Sequence, residues 1–120
     1  MSSSSSLKTV VREFIDNQIS QHKIVVFSKS YCPYCASTKA LFQKLSELSS
    51  QILDDDIDIV VYIELDKLTD YDGSEIQTTL AEMTDGQSTT VPSVWTDGTF
   101  VGGNSDVQAA YQSGQLFDLL

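Results

Sequence analysis

Two cysteines, Cys32 and Cys35, are the residues of this chain whose type and spacing are best suited to chemistry. They lie in the stretch KSYCPYCASTKALFQKL, residues 29–45, with Pro33 between them and lysines around them. A thiolate is a nucleophile that exchanges with disulfides, and two thiols at this spacing can also form a disulfide with each other. The pair therefore indicates redox chemistry.

Two structural roles for the cysteines are weaker explanations. A structural zinc site takes about four ligands, whereas this chain offers two cysteines and one histidine, His22. A disulfide across two intervening residues closes a very small loop, and such a loop adds little stability. No metal is expected.

The residues around the motif predict where the two thiols lie. The apolar run KIVVFS, residues 23–28, predicts a buried strand, and a helix is predicted over about 33–48. Cys32 then occupies the N-cap, where the partial positive charge of the helix end stabilises a thiolate. Pro33 suits the first helical position, since its missing N–H has no partner there. Cys32 is thus the expected nucleophile, and Cys35, in the first turn, the shielded second thiol.

The charge is distributed unevenly. The formal net charge is -10, which argues against a nucleic-acid partner. No acidic residue occurs between Asp16 and Glu47, and this window holds four lysines, at positions 23, 29, 39 and 44. The window either creates a local field that favours a thiolate and an anionic ligand, or is a chance cluster on a solvated face.

The remaining pattern predicts helices alternating with buried strands, followed by a hairpin. A first helix is predicted over residues 7–18, a loop with an acidic run over 49–58, and a second strand over 59–65. Ser74 can cap the next helix, Asp97-Gly98 predicts a hairpin turn, and Gly114 ends the last helix. The predicted cap of that last helix is one of Asn104, Ser105 and Asp106.

Helical spacing predicts which residues of the two central helices are buried. On the helix after the cysteines they are Ala36, Ala40, Leu41, Leu45 and Leu48, and on the next helix they are Ile76, Leu80 and Met83.

This order predicts an α/β fold with a mixed sheet covered by helices on both faces. A chain of 120 residues is long enough for one domain, predicted over residues 7–120 after a disordered serine-rich tail at 1–6. No apolar run is long enough to span a bilayer, and the first residues lack the pattern of a secretory or mitochondrial signal. We therefore expect a cytoplasmic monomer without a membrane partner.

The motif and several downstream strings resemble the glutaredoxins, a family with the thioredoxin-like fold, and the CPYC dithiol type of fungi in particular. The strings are ELD at 64–66, GSEIQ at 73–77, GQSTTVP at 86–92 and GGNSD at 102–106. The resemblance implies a four-stranded sheet and a glutathione-dependent thiol-disulfide oxidoreductase. Its partners are then glutathione as co-substrate, glutathionylated proteins and protein disulfides.

The resemblance also implies a glutathione site. Its glycine carboxylate is expected at Lys29 and Gln77, its cysteinyl part at the backbone of Val91 before a cis Pro92, and its γ-glutamyl end at Ser105 and Asp106. The aromatic ring of Tyr34 would flank the ligand. Gln77 as plain helix surface and Asp106 as a mere helix cap remain open alternatives.

Three departures from the family pattern affect these expectations. Ser88 and Thr89 stand where one residue is usual, Thr99 replaces a frequent lysine, and the segment between Cys35 and ELD is longer than usual.

Two other functions also remain open. One is an iron–sulfur cluster held between two subunits by the nucleophilic cysteine and glutathione, which the stiff Pro33 disfavours. The other is a thioredoxin-type reductase that does not use glutathione.

Overall fold

The elements occur in the predicted order. The structure is a computed structural model that describes residues 3–52 and 60–115. Its helices and strands are α1 Ser3–Gln21, β1 Ile24–Ser28, α2 Pro33–Ile52, β2 Val60–Glu64, α3 Gly73–Met83, β3 Ser93–Thr96, β4 Thr99–Gly102 and α4 Asn104–Ser113.

The strands form one mixed sheet with the order β2-β1-β3-β4. β1 is parallel to β2, so that Ile24 lies opposite Val60 and Ser28 opposite Glu64. β3 is antiparallel to both β1 and β4. The parallel pair places the carboxyl ends of β1 and β2 at one edge of the sheet, where the segment that carries the cysteines begins.

Helices cover both faces of the sheet, as predicted. Successive residues of a strand point to opposite faces, and every residue of β1 is buried. Val25 and Phe27 pack on the face covered by α1 and α3, whereas Ile24 and Val26 pack on the face covered by α2 and α4. β1 is therefore the centre of two apolar layers, and the loop after it starts from a rigid base.

Two helices extend beyond their predicted limits. α1 begins at Ser3, within the stretch that the sequence assigns to a disordered tail, and α2 continues to Ile52, into the predicted loop. Neither added stretch contains glycine or proline, so nothing in the local sequence ends the helix there. The acidic run of that loop and the first residue of the predicted second strand lie in residues 53–59, outside the described residues.

The buried face of α2 differs from the predicted one. Ala36 and Ala40 are exposed, whereas Thr38 and Phe42 are buried with Leu41 and Leu45. The predicted positions included neither Thr38, whose side chain is polar, nor Phe42. The hydroxyl of Thr38 has a hydrogen-bond partner inside the protein, so it can be buried without losing that bond.

Two of the predicted caps were also wrong. The N-cap of α3 is Asp72, whose carboxylate accepts a hydrogen bond from the backbone N–H of Ser74 at 2.9 Å. The N-cap of α4 is Gly103 rather than one of the three residues that follow it. Gly114 does end α4 in a left-handed conformation, as predicted. The hairpin turn is confirmed as well, with positive φ angles of 48° and 79° at Asp97 and Gly98.

Candidate active site

Cys32 lies at the N-terminus of α2, as predicted. Pro33 is the first helical residue, so Cys32 is the N-cap. The backbone N–H of Cys35 donates to Cys32 Sγ at 3.3 Å, and that of Ala36 donates to the Cys32 carbonyl oxygen at 3.1 Å. The sulfur thus takes the place of a capping oxygen and faces the N–H groups that favour negative charge.

The two thiols differ in environment. Both are free, and Cys32 is partly exposed whereas Cys35 is only 6% exposed. Burial, together with the hydrogen bond to Cys32, raises the pKa of Cys35 to about 12. Cys35 is therefore a neutral thiol at physiological pH, and the nucleophilic role falls to Cys32.

A hydrogen-bonded loop holds Cys32 at the edge of the sheet. The backbone N–H of Cys32 donates to the Lys29 carbonyl oxygen at 3.1 Å, which closes a turn. Within this turn Ser30 donates to the Asp66 carboxylate twice, from its hydroxyl and, at 2.9 Å, from its backbone N–H. These two bonds lower the pKa of Asp66. Their contribution to stability is present above the ordinary pKa of an aspartate and is lost as the pH falls through the lowered value.

The field around Cys32 is less purely positive than the sequence suggested. A cavity of about 230 Å³ beside the two thiols is lined by Lys29 and Lys39, but also by Glu64 from the end of β2. Lys39 lies over the ring of Tyr62, with its Nζ 5.1 Å from the ring centroid. The window without acidic residues in the sequence does not give a site without acidic residues in the fold. The parallel pairing of β1 and β2 brings Glu64 opposite Ser28, next to this window.

The segment before β3 passes directly beside the nucleophile. The Val91-Pro92 peptide bond is cis, as the resemblance implied. Cys32 Sγ lies 3.8 Å from the Val91 carbonyl oxygen. The backbone of Val91 is therefore within reach of a molecule that is joined to Cys32.

A groove of about 430 Å³ extends from this point to the start of α4. It is lined by five of the seven residues expected to bind glutathione, namely Tyr34, Val91, Pro92, Ser105 and Asp106. It is also lined by four residues that the resemblance did not assign to the site, namely Gln87, Thr90, Gly103 and Asn104. All four lie within the family strings at 86–92 and 102–106, and that membership was the signal that could have found them.

Lys29 and Gln77 lie outside this groove. Lys29 lines the smaller cavity next to the thiols, which adjoins the groove through Cys32. The side-chain amide of Gln77 donates to the Thr89 carbonyl oxygen at 2.9 Å. One of its two N–H groups is therefore engaged within the protein.

Buried hydrogen bonds accommodate the extra residue before Val91. Ser88 is 4% exposed, and its backbone N–H donates to Thr84 Oγ1 at 2.8 Å. Its hydroxyl donates to Ser93 Oγ at 2.8 Å, and the indole N–H of Trp95 donates to the same oxygen at 3.0 Å. The longer segment is thus tied to α3 and β3, and the position of Val91 follows from that attachment.

Asp106 is held in place by two glycines. Its Oδ2 accepts a hydrogen bond from the Gly103 backbone N–H at 3.1 Å. Gly102 has a φ of 140°, and a Cβ atom there would lie 2.3 Å from Asp106 Oδ2. Only glycine leaves room for this carboxylate against the backbone.

We expect Gly102→Ala to damage the site and the fold together. The methyl group requires both a disfavoured φ and a displacement of Asp106, so the free energy of unfolding should fall by about 1–3 kcal/mol. Thermal denaturation followed by circular dichroism measures this loss. Gly86→Ala is the matched control, because Gly86 also has a positive φ but a Cβ atom there would meet no neighbouring side chain or backbone within 4 Å. Equal losses in both variants would show that φ alone matters and that Asp106 does not require the space.

The fold and the site together define a thioredoxin-like dithiol redox protein, with a thiol pair at a helix N-terminus beside a cis-proline. Comparison with known proteins identifies the family within this class. The family model described as Glutaredoxin matches residues 24–101, and this chain belongs to the glutaredoxin family.

Relatives occur in both plants and fungi. The chain is 42% identical over 117 residues to Glutaredoxin-C4 of Arabidopsis thaliana, an alignment that covers 98% of this chain and 76% of the relative. It is 36% identical over 107 residues to Glutaredoxin-1 of Saccharomyces cerevisiae, with 88% and 86% covered.

Solved structures show the same fold. The reduced glutaredoxin C1 of Populus tremula x tremuloides has a TM-score of 0.81 at 30% identity, with 99% of this chain and 89% of that chain covered. The buckwheat glutaredoxin-glutathione complex has a TM-score of 0.80 at 30% identity, with 96% and 91% covered.

Proposed function

We propose that this chain is a glutathione-dependent thiol-disulfide oxidoreductase in which Cys32 is the nucleophile and Cys35 the resolving thiol. The observation that carries the proposal is the position of Cys32 Sγ, which caps α2 and lies 3.8 Å from the Val91 carbonyl oxygen at one end of the groove. A disulfide bound in the groove would have a sulfur atom next to the partly exposed Cys32 thiol.

With a glutathionylated protein as substrate, the Cys32 thiolate attacks the sulfur of the glutathione part. The protein thiolate leaves and takes up a proton, and Cys32 is then joined to glutathione. A second glutathione thiolate attacks the glutathione sulfur of this mixed disulfide, which releases glutathione disulfide and restores the Cys32 thiolate. The incoming glutathione is the only thiol consumed, the protein thiol is the thiol released, and Cys35 takes no part.

With a protein disulfide as substrate, the Cys32 thiolate attacks one substrate sulfur, the S–S bond of the substrate breaks, and the other substrate sulfur leaves as a thiolate. Cys35 then attacks Cys32 Sγ, and the first substrate sulfur leaves as the Cys32–Cys35 disulfide forms. Two glutathione thiolates reduce that disulfide in turn and leave as glutathione disulfide. The hydrogen bond between the Cys35 backbone and Cys32 Sγ keeps the two residues in the same turn, within reach of each other. Cys35 must lose its proton in this step, and its burial, which raises the pKa of the thiol, makes the step depend on a base such as the departing thiolate.

We place glutathione along the groove. Its γ-glutamyl carboxylate accepts from the backbone N–H groups of Ser105 and Asp106 at the start of α4, where the helix end favours an anion. Its ammonium group pairs with the Asp106 carboxylate, and its cysteinyl part bonds to the Val91 backbone. Tyr34, which is 66% exposed, covers one side of the ligand.

The glycine carboxylate of glutathione is placed on the side of Lys29. Lys29 supplies the charge, since it lines the cavity that contains both cysteines. Gln77 contributes at most its second N–H group, because the first is donated to Thr89. The groove and the adjoining cavity together have the polar groups that such a ligand needs. The groove supplies the helix N-terminus and the Asp106 carboxylate, and the cavity supplies Lys29 near the thiol.

We expect Lys29→Ala and Asp106→Ala to weaken the use of glutathione more than they weaken the fold. Each removes one charge-assisted hydrogen bond at a partly solvated site, so the apparent KM for glutathione should rise about three- to tenfold. The measurement is steady-state kinetics in a coupled glutathione reductase assay. Lys44→Ala, on a distant turn of α2, and Asp70→Ala, at an exposed position in the loop before α3, are the matched charge controls.

Asp106→Asn separates binding from capping. The amide oxygen can still accept from the Gly103 N–H, but the charge that faces the ammonium group is lost. A KM that is unchanged in Lys29→Ala, Asp106→Ala and Asp106→Asn would remove this placement of glutathione, whatever the melting temperatures show.

We further propose a single domain over residues 7–120 that acts as a cytoplasmic monomer on glutathionylated proteins and protein disulfides. The formal charge of -10 supports the expectation that nucleic acid is no partner. In the described part of the chain, no helix is long and apolar enough to cross a membrane. Light scattering on the purified protein tests the monomer, and a brown colour with visible absorbance would instead support the cluster-binding alternative.

A further inference from the structure

The groove beside Cys32 lies between two helices. Tyr34, in the first turn of α2, lines one side, and Asn104, Ser105 and Asp106, in the first turn of α4, line the other. In the proposed function α2 carries the reacting thiol and α4 holds the γ-glutamyl end of the substrate. The separation of these two helix ends therefore decides whether a substrate sulfur reaches Cys32.

One partly buried hydrogen bond joins the two helices at this point. The hydroxyl of Thr38 donates to Asn104 Oδ1 at 2.9 Å. Thr38 lies one turn after Cys35 and is 0% exposed. Asn104 is the first residue of α4. The threonine end of this bond is shielded from water, so water does not compete for the Thr38 hydroxyl.

A second, weaker link reinforces the first. The side-chain amide of Gln108 on α4 donates to Asn104 Oδ1 at 3.3 Å and to Ser37 Oγ on α2 at 3.4 Å. Asn104 Oδ1 is thus held from both sides. The first turn of α4 is attached to α2 by side-chain hydrogen bonds as well as by apolar packing.

The direction of the Thr38 hydrogen bond is informative. A threonine inside a helix can satisfy its hydroxyl by donating to the carbonyl oxygen four residues earlier. Thr79 does this on α3, with a hydrogen bond of 2.8 Å to Glu75, and Thr84 donates in the same way to Leu80. Thr38 donates to another helix instead, so its hydroxyl serves the contact between α2 and α4.

We propose that the Thr38–Asn104 hydrogen bond is a positioning contact that sets the distance between the Cys32 thiol and the site for the γ-glutamyl end of glutathione. Thr38 contacts neither the substrate nor the reacting sulfur, and it acts through Asn104. This inference rests on the function proposed above, and it assigns a role to a residue that lies outside the groove.

Thr38→Val tests the inference, because valine keeps the volume and shape of threonine but lacks the hydroxyl. The substrate is the mixed disulfide of glutathione and mercaptoethanol, in a coupled assay with glutathione reductase. We expect its KM to rise about three- to tenfold, the range that corresponds to one hydrogen bond. The kcat should change by less than about twofold, since both thiols keep their surroundings. Thr38→Ser, which restores the hydroxyl, should return KM most of the way to the wild-type value.

Thr79→Val is the matched control, since it removes a buried threonine hydroxyl that bonds only within its own helix. It should lower the melting temperature about as much as Thr38→Val does and leave KM unchanged. An equal rise of KM in both valine variants would overturn the inference, because general loosening would then explain it. An unchanged KM in Thr38→Val, with an active wild-type protein, would overturn the inference alone. A wild-type protein that shows no glutathione-dependent turnover would overturn the proposed function and this inference with it.

Discussion

Cys32→Ser should abolish glutathione-dependent turnover, lowering kcat by at least about 10³-fold on any disulfide substrate. A serine hydroxyl is not ionised near neutral pH, and its oxygen cannot form the mixed disulfide on which both routes depend. The measurement is the coupled assay with a glutathionylated small thiol and, separately, with a protein disulfide. The rate should not exceed that of the assay without enzyme.

The substitution is well suited to separate chemistry from folding. Cys32 Sγ accepts the Cys35 backbone N–H at the N-cap of α2. Serine is among the preferred residues at that position, and its oxygen can accept the same N–H. The melting temperature of Cys32→Ser should therefore equal or exceed that of the wild type. A folded Cys32→Ser protein that still turned over would show that another group is the nucleophile.

The position of the thiols could be predicted from the sequence because it depends on local rules. An apolar strand, a proline at the first helical position and a cysteine before it leave little choice of geometry. The tight turn at Asp97-Gly98 and the C-cap at Gly114 were predictable for the same reason, since each depends on the conformations available to one or two residues. These features need no information about the rest of the chain.

Features that depend on tertiary contacts could not be predicted. The presence of Glu64 beside Lys29 follows from the register of β1 and β2, which no local pattern specifies. The hydrogen bond from Gln77 to Thr89 depends on how the longer segment before Val91 folds. The burial of Thr38 depends on Asn104, which is 66 residues further along the chain.

The family resemblance predicted more of the site than the local pattern did, and the geometry supports it unevenly. The residues near the cis-proline and at the start of α4 line one groove. Gln77, in contrast, is partly engaged by the protein itself, and its part in binding glutathione stays a prediction. Under the proposed placement of glutathione, the extra residue before Val91 therefore bears on the glycine end of the ligand more than on the γ-glutamyl end.

Cys35→Ser separates the two reactions of the enzyme. Cys35 is buried and has a pKa of about 12, so it is neither an exposed nucleophile nor needed when glutathione performs the second attack. The variant should keep most of its activity on a glutathionylated substrate. That activity can even exceed the wild-type rate, because Cys32 is no longer diverted into a disulfide with Cys35.

The same variant should lose activity on protein disulfides by at least about tenfold. With a protein disulfide, a second thiol must attack the mixed disulfide between Cys32 and the substrate. A neighbouring thiol in the same helical turn reacts far faster than one that must arrive from solution. Mass spectrometry after rapid alkylation should show the mixed disulfide accumulating in Cys35→Ser and not in the wild type. Gln43→Ala, at an exposed position further along α2, is the control for a local change of structure and should keep both activities. If Cys35→Ser were as inactive as Cys32→Ser on the glutathionylated substrate, the one-thiol route would be wrong and Cys35 would have to act in every turnover. The two substrates thus show which thiol each reaction needs, because only one of the reactions can draw its second thiol from solution.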